Sequence, residues 1–319
     1  MSTSRRPISR SITKLAASLF TDSSQAERFL SSLHQGSCSS EALINLRPLP
    51  DDFPLSFLPR LSWQPEFTER LVSGSRAGAL RWHEQGYYYC LDLSSVFCAA
   101  PLNSISALEG CSVLDMCASP GGKAIFAYRA LRPSQLVCNE VIGKRLPALL
   151  SNLKRCRVTQ ALVSSSDSSR FSADAPSSFD LVIVDAPCSG QSLAFRGERA
   201  PGAFHAATIN LNANRQRRIL ANACCCVKPG GYILYCTCTF SPKENEQVVE
   251  WLLRKFPNFE ACKVDTLQDF QSRLCDLPCY RIFPHQGAGA GGFTCLLHRS
   301  VDEETGDFDP DRFRIIQRL

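Results

Sequence analysis

Two cysteines stand in short motifs that could place a reactive thiol at the edge of a buried sheet. Cys188 lies in P-C-S-G (187–190), after the apolar run F-D-L-V-I-V-D-A, and Cys238 lies in T-C-T (237–239), after G-Y-I-L-Y-C. A deprotonated cysteine is a strong nucleophile that can form a covalent intermediate with an electron-poor carbon. A metal ligand, half of a disulfide and a core-filling residue are the alternatives for such a cysteine.

A zinc site made of residues 224–226 with Cys236 and Cys238 is one such alternative. Neither Cys236 nor Cys238 belongs to a C-x-x-C pair, and the three consecutive cysteines at 224–226 would point in three directions from a helix. The sequence therefore favours a protein without a metal site. We expect Cys236 to be a core residue, or to lie one layer below Cys238 if the strand stays regular.

Alternating strands and helices are predicted from about residue 108. Strands are expected at 112–116, 135–140, 160–165, 179–186 and 231–236, and helices at 122–131, 143–156 and about 208–227. Apolar runs of this length are typical of strands buried on both faces. The alternation predicts an α/β fold with a doubly wound, Rossmann-like parallel sheet. Two later segments, C-Y-R-I-F-P and G-G-F-T-C-L-L-H-R, are expected to form a closing antiparallel hairpin.

Three regions follow from the changes in pattern along the chain. Residues 1–107 are predicted to form a small, mostly helical and aromatic region that orients the substrate. Residues 108–300 carry the strand–helix alternation, and residues 301–319 form an acidic tail that we expect to be loosely ordered.

The carboxyl ends of the predicted strands carry groups suited to a nucleoside-bearing cofactor. The first strand ends at Asp115 and leads through the tight turn 120–122 into a helix, whose free amide groups could hold a carboxylate. Glu140, roughly 20 residues further on, is placed to accept hydrogen bonds from ribose hydroxyls. Asp167, after the third strand, could meet an adenine amino group. Together these groups fit S-adenosylmethionine.

The composition excludes several classes of protein. The 319 residues are 44% hydrophobic and 20% charged, which is typical of a globular chain. The seventeen cysteines are not spaced as a secreted disulfide framework, so we expect a reduced, intracellular protein. No apolar run approaches the roughly 18–20 residues of a membrane span, so no membrane partner is expected. The net charge of +5 is a weak indication of a polyanionic partner.

The first 21 residues are basic and contain no acidic residue. Their cations are Arg5, Arg6, Arg10 and Lys14. This composition suits an organellar transit peptide, and the apolar spacing equally suits an ordinary first helix. We expect a cytoplasmic protein, with a plastid or mitochondrial location if this segment is a transit peptide.

The motifs resemble those of the Sun/Fmu (RsmB-like) family of S-adenosylmethionine-dependent RNA cytosine-5 methyltransferases. The matching segments are D-M-C-A-S-P-G-G-K (115–123), N-E-V-I-G-K-R-L (139–146), V-D-A-P-C-S-G (184–190) and N-R-Q-R-R-I-L…V-K-P-G-G-Y-I-L-Y-C-T-C-T-F-S-P-K-E-N-E (214–246). The similarity covers about residues 80–299, with Leu91 where the family commonly has a glutamine. The insert after P-C-S-G and the ending F-P-H-Q-G-A-G-A-G-G-F-T resemble a short cyanobacterial or plastid-type subgroup.

This resemblance implies a class I methyltransferase domain with residue roles that follow the family's motifs. Cys238 would be the nucleophile and Cys188 would assist product release. The substrate would be a cytosine in rRNA or tRNA, and we expect a monomer. The residues implied to bind S-adenosylmethionine are Cys117, Ala118, Ser119, Pro120, Gly121, Gly122, Lys123, Glu140, Asp167 and Asp185.

The chemistry of cytosine methylation explains why such residues are needed. Carbon-5 of cytosine becomes nucleophilic once a thiolate, here Cys238, adds to carbon-6. Addition also requires a proton donor or hydrogen bond at ring nitrogen 3, for which a protonated Asp185 is the candidate. Cys188 could then help to remove the carbon-5 proton. The target must be unstacked, which favours a single-stranded or loop cytosine.

Two further readings of the same fold remain. DNA cytosine methyltransferases also have a P-C motif, but use that cysteine as the nucleophile and lack T-C-T followed by E-N-E. A catalytically silent RNA-binding assembly factor is the other alternative, and the presence of Cys188, Cys238 and Asp185 favours an active enzyme over it.

Overall fold

The computed structural model describes residues 8–34, 38–105, 108, 110–300 and 305–319. The helices are α1 (Arg10–Leu19), α2 (Ser23–Ser32), α3 (Arg81–Glu84), α4 (Leu93–Ala99), α5 (Gly122–Leu131), α6 (Leu146–Arg155), α7 (Ser168–Asp174), α8 (Gln191–Phe195), α9 (Ala206–Cys226) and α10 (Glu246–Lys255). Among these described helices, none combines the length and the apolar character needed to cross a lipid bilayer.

The strands form one small and one large sheet. They are β1 (Glu41–Asn45), β2 (Phe57–Leu58), β3 (Thr68–Leu71), β4 (Tyr88–Asp92), β5 (Ser112–Asp115), β6 (Gln135–Asn139), β7 (Ala161–Ser164), β8 (Phe179–Asp185), β9 (Val227–Thr237), β10 (Phe259–Ala261), β11 (Tyr280–Ile282), β12 (Gly292–Arg299) and β13 (Ile315–Arg318). The five strands and three helices predicted after residue 108 are all present, with bounds close to those expected.

The large sheet has the order β10-β12-β9-β8-β5-β6-β7-β13, and β11 pairs with β12. Its five central strands, from β9 to β7, are parallel, whereas β12 and β13 run antiparallel to their neighbours. The doubly wound sheet and the closing hairpin of β11 and β12 are therefore confirmed. The strand order reverses between β5 and β8, which is where ligands bind in sheets of this kind.

Alternate residues of the central strands pack on opposite faces of the large sheet, because successive side chains of a strand point to opposite sides. In β8, Ile183 belongs to the same buried cluster as Ile125 of α5. Its neighbour Val182 belongs to the cluster that contains Leu220 of α9. The two buried faces fix the register of β8 and hence the position of the residues that follow it.

The N-terminal region contains a sheet in addition to the helices that the sequence indicated. Helices α1 and α2 are followed by a four-stranded antiparallel sheet of order β2-β3-β1-β4. Ala42 of β1 lies opposite Leu91 of β4. The description of this region as mostly helical was incomplete, because these strands are short and β1 pairs with a strand far along the chain.

Asp92, at the end of β4, connects the small sheet to α4 and to the segment before β12. Its carboxylate caps α4 by accepting a hydrogen bond from Ser94 N at 3.0 Å. It also accepts from Ser40 N at 3.1 Å and from Ala290 N at 3.1 Å. Gly289, with a φ of +104°, brings the backbone so close to this carboxylate that a side chain there would collide with it. One carboxylate, on a side chain that is 4% exposed, thus joins three segments of the chain.

The acidic tail differs from the prediction. Residues 315–318 form β13, which pairs with β7 and places Ile315 opposite Ser164. Phe313, just before this strand, is buried and stacks on Phe171 of α7 at 4.5 Å between ring centroids. The expectation of a loosely ordered tail was therefore wrong for this part, and residues 301–304 lie outside the described residues.

Candidate active site

The two motif cysteines meet at the carboxyl ends of β8 and β9. These strands are parallel neighbours, and Asp185 at the end of β8 lies opposite Cys236 in β9. The residues that follow each strand therefore come together, and the Sγ atoms of Cys188 and Cys238 are 3.1 Å apart. Both cysteine residues are half-buried.

The turn after Cys188 depends on Gly190. This residue has a φ of +72° and precedes the first residue of α8, and an added Cβ would lie 3.1 Å from Leu193 Cδ1. The left-handed conformation favours glycine over other residues. Ser192 N, in the first turn of α8, donates to the carbonyl of Cys238 at 3.1 Å. The P-C-S-G turn and α8 together hold the T-C-T segment.

The contact between the two sulfur atoms separates the acidities of the cysteines. With the Cys188 thiol as donor, its hydrogen bond lowers the pKa of Cys238 below the ordinary value, and the Arg196 guanidinium adds to this; burial and the charge of Asp185 oppose it. The same hydrogen bond, together with burial, raises the pKa of Cys188. Because only a thiolate is a strong nucleophile, Cys238 is the cysteine better prepared to attack a carbon.

Cys236 is a core residue, as the sequence analysis expected. It is fully buried, and its Sγ donates to the carbonyl of Cys98 at 3.2 Å. Cys224 and Cys226 lie in the hydrophobic cluster on the other face of the large sheet. The cysteines of the zinc alternative therefore do not converge.

The residues from Cys117 to Gly121 form one continuous turn between β5 and α5, and Gly122 and Lys123 begin α5. Ala118 N donates to the carbonyl of Asn139 at 2.8 Å, and Ser119 Oγ donates to the carbonyl of Arg145 at 3.0 Å. Gly121, with a φ of +115°, precedes α5, and Gly122 lies against the ring of Tyr89. The carbonyl of Pro120 accepts a hydrogen bond from the Asn152 side chain at 2.9 Å.

Acidic residues surround this turn. Asp115 is completely buried, and its Oδ1 accepts from Cys117 N at 3.2 Å. Glu140 Oε1 accepts from Ile142 N at 2.8 Å, and Oε2 lies 3.1 Å from Arg145 Nη1. Among the described residues, Asp115 Oδ2 is buried and accepts no hydrogen bond, and the buried Glu140 Oε2 has only its ion pair with Arg145. Such acceptors fit a ligand that brings hydroxyl or ammonium donors, as S-adenosylmethionine does.

Asp167 occupies the rim and caps a helix. Its Oδ1 accepts from Ser169 N at 3.0 Å and from Ser169 Oγ at 2.8 Å, and Oδ2 lies 3.6 Å from Arg218 Nη2. The hydrogen bonds from Ser169 hold the pKa of Asp167 below its ordinary value. The capping role follows from its place before α7.

Asp185 lies between the turn and the cysteines. Lys123 Nζ is 3.3 Å from Asp185 Oδ2. The negative charge of Asp185 also acts on Cys238, since it opposes the lowering of that pKa. The structure thus brings together Asp115, Lys123 and Asp185, with the cysteine pair next to them.

The E-N-E motif (244–246) has contacts that could not be anticipated from the sequence, where the motif was only a mark of the family resemblance. Asn245 is fully buried; its Nδ2 donates to the carbonyl of Thr239 at 2.9 Å and its Oδ1 accepts from Thr237 Oγ1 at 2.6 Å. These bonds hold the residues on either side of Cys238. Glu246 forms a buried ion pair with Arg281, whose Nη1 donates to the carbonyl of Phe240 at 3.0 Å.

The chain is similar to solved structures over nearly its whole length. A methyltransferase homologue protein from Pyrococcus horikoshii superimposes with a TM-score of 0.71 at 20% identity, covering 92% of this chain and 100% of that one. NSun6 from Pyrococcus horikoshii with SFG gives a TM-score of 0.69 at 19% identity, covering 92% and 99%. At these identities, the likeness establishes the fold.

Sequence comparison is more specific. A ribosomal RNA small subunit methyltransferase F from Pectobacterium atrosepticum is 33% identical over 231 residues, which are 71% of this chain and 47% of that protein. A mitochondrial tRNA (cytosine(34)-C(5))-methyltransferase from Danio rerio is 33% identical over 205 residues, covering 62% of this chain and 54% of that protein. The chain spans about half the length of these relatives. The family model described as 16S rRNA methyltransferase RsmB/F matches residues 104–298, more than half of the chain, and the chain therefore belongs to this family.

Proposed function

We propose that this protein transfers a methyl group from S-adenosylmethionine to carbon-5 of a cytosine in RNA, with Cys238 as the nucleophile. The observation that carries this proposal is the 3.1 Å contact between the sulfur atoms of Cys238 and Cys188 beside Asp185. Membership of this methyltransferase family makes S-adenosylmethionine the cofactor, and when bound it supplies an electrophilic methyl group. The 33% identical relatives named for rRNA and for tRNA support RNA as the substrate class.

The residues from Cys117 to Lys123, with Glu140, Asp167 and Asp185, would hold the cofactor. The buried acceptors Asp115 Oδ2, which has no hydrogen-bond donor within the described part of the chain, and Glu140 Oε2, which faces only the Arg145 guanidinium there, support this position. Asp167 is half-exposed at the rim and would meet the outer part of a bound nucleoside.

The cysteines would act in sequence on the cytosine ring. The Cys238 thiolate adds to carbon-6, and the electron pair of the carbon-5–carbon-6 double bond moves so that carbon-5 can take the methyl group. The carbon-5 proton then leaves to a base, the double bond re-forms and Cys238 departs as thiolate. Cys188 is placed to assist this release because its sulfur touches that of Cys238. Asp185 would hydrogen-bond to ring nitrogen 3 during addition, and its carboxylate has to take up a proton to act as the donor there.

Substitution of each cysteine tests this assignment. Cys238→Ala should abolish methyl transfer, whereas Cys188→Ala should accumulate a covalent protein–RNA adduct that survives on a denaturing gel with labelled RNA. Cys225→Ala, which changes an exposed cysteine of α9, is the matched control and should behave as the wild type. An adduct from Cys238→Ala and none from Cys188→Ala would reverse the two roles.

The substrate is tested separately from the chemistry. Bisulfite sequencing of total RNA from cells with and without the protein should reveal one or a few cytosines whose modification disappears. Preferential methylation of a DNA oligonucleotide would contradict the choice of RNA. Equal rescue of a growth defect by wild type and by Cys238→Ala would contradict catalysis and support the assembly-factor alternative.

A further inference from the structure

We propose that Glu244 is a positioning residue for the cysteine pair: its carboxylate joins the two cysteine turns and places a negative charge beside Cys188. This inference rests on the proposed function, because it explains how Cys238 rather than Cys188 becomes the nucleophile. It concerns the acidity of the two thiols, which can be measured without RNA or cofactor.

The contacts of Glu244 reach the residue next to each cysteine. The side chain is fully buried, and Oε1 accepts from Ser189 N at 2.8 Å and from Gln216 Nε2 at 3.1 Å. Oε2 accepts from Ser189 Oγ at 2.6 Å and from Thr239 Oγ1 at 3.3 Å. Ser189 follows Cys188 and Thr239 follows Cys238, so one carboxylate fixes the spacing of both turns.

Further hydrogen bonds connect Glu244 and the two cysteine turns. Ser189 Oγ and Thr239 Oγ1 are also 2.8 Å from each other, which joins the two turns directly. Gln216 of α9 donates from the same Nε2 to the carbonyl of Pro187 at 3.0 Å. Tyr235 donates from its hydroxyl to the carbonyl of Glu244 at 2.6 Å. These bonds fix the backbone of Glu244 and the two turns that its carboxylate joins.

The charge of Glu244 has no cationic partner among the described residues, in contrast to Glu246 and its Arg281. Burying a carboxylate with only neutral donors costs free energy, and an amide of the same shape would satisfy most of those donors at lower cost. The charge therefore needs a reason beyond hydrogen bonding. The nearby Cys188 supplies one: its hydrogen bond to Cys238, burial and the negative charge of Glu244 all raise the pKa of Cys188.

Charge and shape can be separated by substitution. In Glu244→Gln the amide oxygen can still accept from Ser189 N and Gln216 Nε2, while the amide nitrogen can donate to the hydroxyl oxygens of Ser189 and Thr239. This variant keeps the geometry and removes the charge. Glu244→Asp keeps the charge on a side chain that is one methylene shorter.

The test is the rate at which iodoacetamide modifies each cysteine in the full chain, measured by mass spectrometry across neutral and mildly alkaline pH. In the wild type Cys238 should react well before Cys188. In Glu244→Gln the reaction of Cys188 at neutral pH should rise by about ten-fold, the equivalent of one pKa unit. In the Glu244→Asp variant, the modification of Cys188 should remain as slow as in the wild type.

Glu246→Gln is the control for loss of a buried glutamate charge from the same motif. It should lower stability, since Arg281 is left unpaired, but it should leave the ratio of the two cysteine rates unchanged. A wild-type ratio in Glu244→Gln would overturn the proposal. If that variant fails to fold, Glu244→Asp decides: a Cys188 as slow as in the wild type supports the proposal, and a ten-fold faster one overturns it.

A different result would contradict the proposed function without affecting the role of Glu244. An absence of RNA adducts in every variant would refute methyl transfer through Cys238. It would leave the two alkylation rates, and hence the role of Glu244, unaffected.

Discussion

Lys123 Nζ lies 3.3 Å from Asp185 Oδ2, and the lysine is the buried member of the pair, with 8% of its side chain exposed against 40% for the aspartate. Burial alone would lower the pKa of Lys123, but the charge of Asp185, the neighbouring Cys236 and Cys98 and the hydrogen bond to Asp185 together raise it. A permanent cation therefore stands between the turn after β5 and the cysteine pair.

Lys123→Met should weaken binding of S-adenosylmethionine by about ten-fold, or about 1.4 kcal/mol. The substitution keeps the length of the side chain, removes the cation and releases Asp185. Isothermal titration calorimetry with the cofactor alone measures the change. Lys154→Met, on the exposed face of α6, is the control. Wild-type affinity in Lys123→Met would show that the cation does not act at the cofactor site.

Cys188→Ala should move the pH dependence of Cys238 alkylation upward. A thiolate exists above its pKa, so a lowered pKa extends the reaction to lower pH. Without the Cys188 donor, burial and Asp185, which both raise the pKa of Cys238, act with less opposition. We expect the midpoint to rise by about one pH unit. Cys225→Ala should leave it in place, and an unchanged midpoint in Cys188→Ala would remove the basis for the assignment of roles.

Asp115→Asn should flatten the dependence of stability on pH. Burial, with a contribution from Asp185, raises the pKa of Asp115 from 3.8 to about 8. A group whose pKa is raised on folding stabilises the fold fully below the unfolded value, and this contribution is lost as the pH rises through the folded value. The wild type should therefore lose stability between about pH 4 and about pH 8 by up to about 1.4 kcal/mol per pH unit from this group.

Urea unfolding of wild type and Asp115→Asn at several pH values within that window measures this difference. The free energy of unfolding of Asp115→Asn should rise relative to that of the wild type as the pH rises. Asp269→Asn, at an exposed position, is the control and should track the wild type. Parallel curves for Asp115→Asn and wild type would show that Asp115 is ionised in the folded protein at little cost.

Phe29→Ala should cost about 3–5 kcal/mol of unfolding free energy, because a fully buried ring is removed. Its ring centroid lies 4.9 Å from that of Phe195 in α8 and 5.2 Å from that of Phe240, two residues after Cys238. The loss should therefore also slow formation of the RNA adduct. Leu211→Ala, at a side chain 62% exposed, should change stability by less than about 0.5 kcal/mol. An equally small effect of Phe29→Ala would mean that α2 does not support the segment that follows Cys238.

The meeting of Cys188 and Cys238 could be predicted because each follows a long buried run. Two such runs joined by a helix become parallel neighbours with their carboxyl ends on one edge. The partners of Glu244 could not be predicted, since Ser189 and Gln216 are distant in sequence and nothing local indicates a shared carboxylate. Asp167 was predicted to contact the cofactor because it follows a strand. Its hydrogen bonds as the cap of α7 could not be predicted, because they depend on where that helix begins.

The N-terminal sheet was missed for a different reason. Local patterns reveal strands that alternate over several residues, whereas β2 has two residues and β3 has four. Their stability comes from pairing with β1 and β4, and long-range pairing leaves no signature within a short window. The same holds for β13, whose four residues are only partly buried.

The pairing of β13 with β7 has a consequence for association between copies. Every residue of β7 is buried, and without a neighbour on that side its N–H and C=O groups would form an open template for strand addition. Residues 315–318 occupy that template with a ribbon that alternates exposed and half-buried side chains. Without β13, the edge of β7 would be unpaired and could pair with a strand of another copy. A chain cut before Ile315 should therefore form concentration-dependent aggregates.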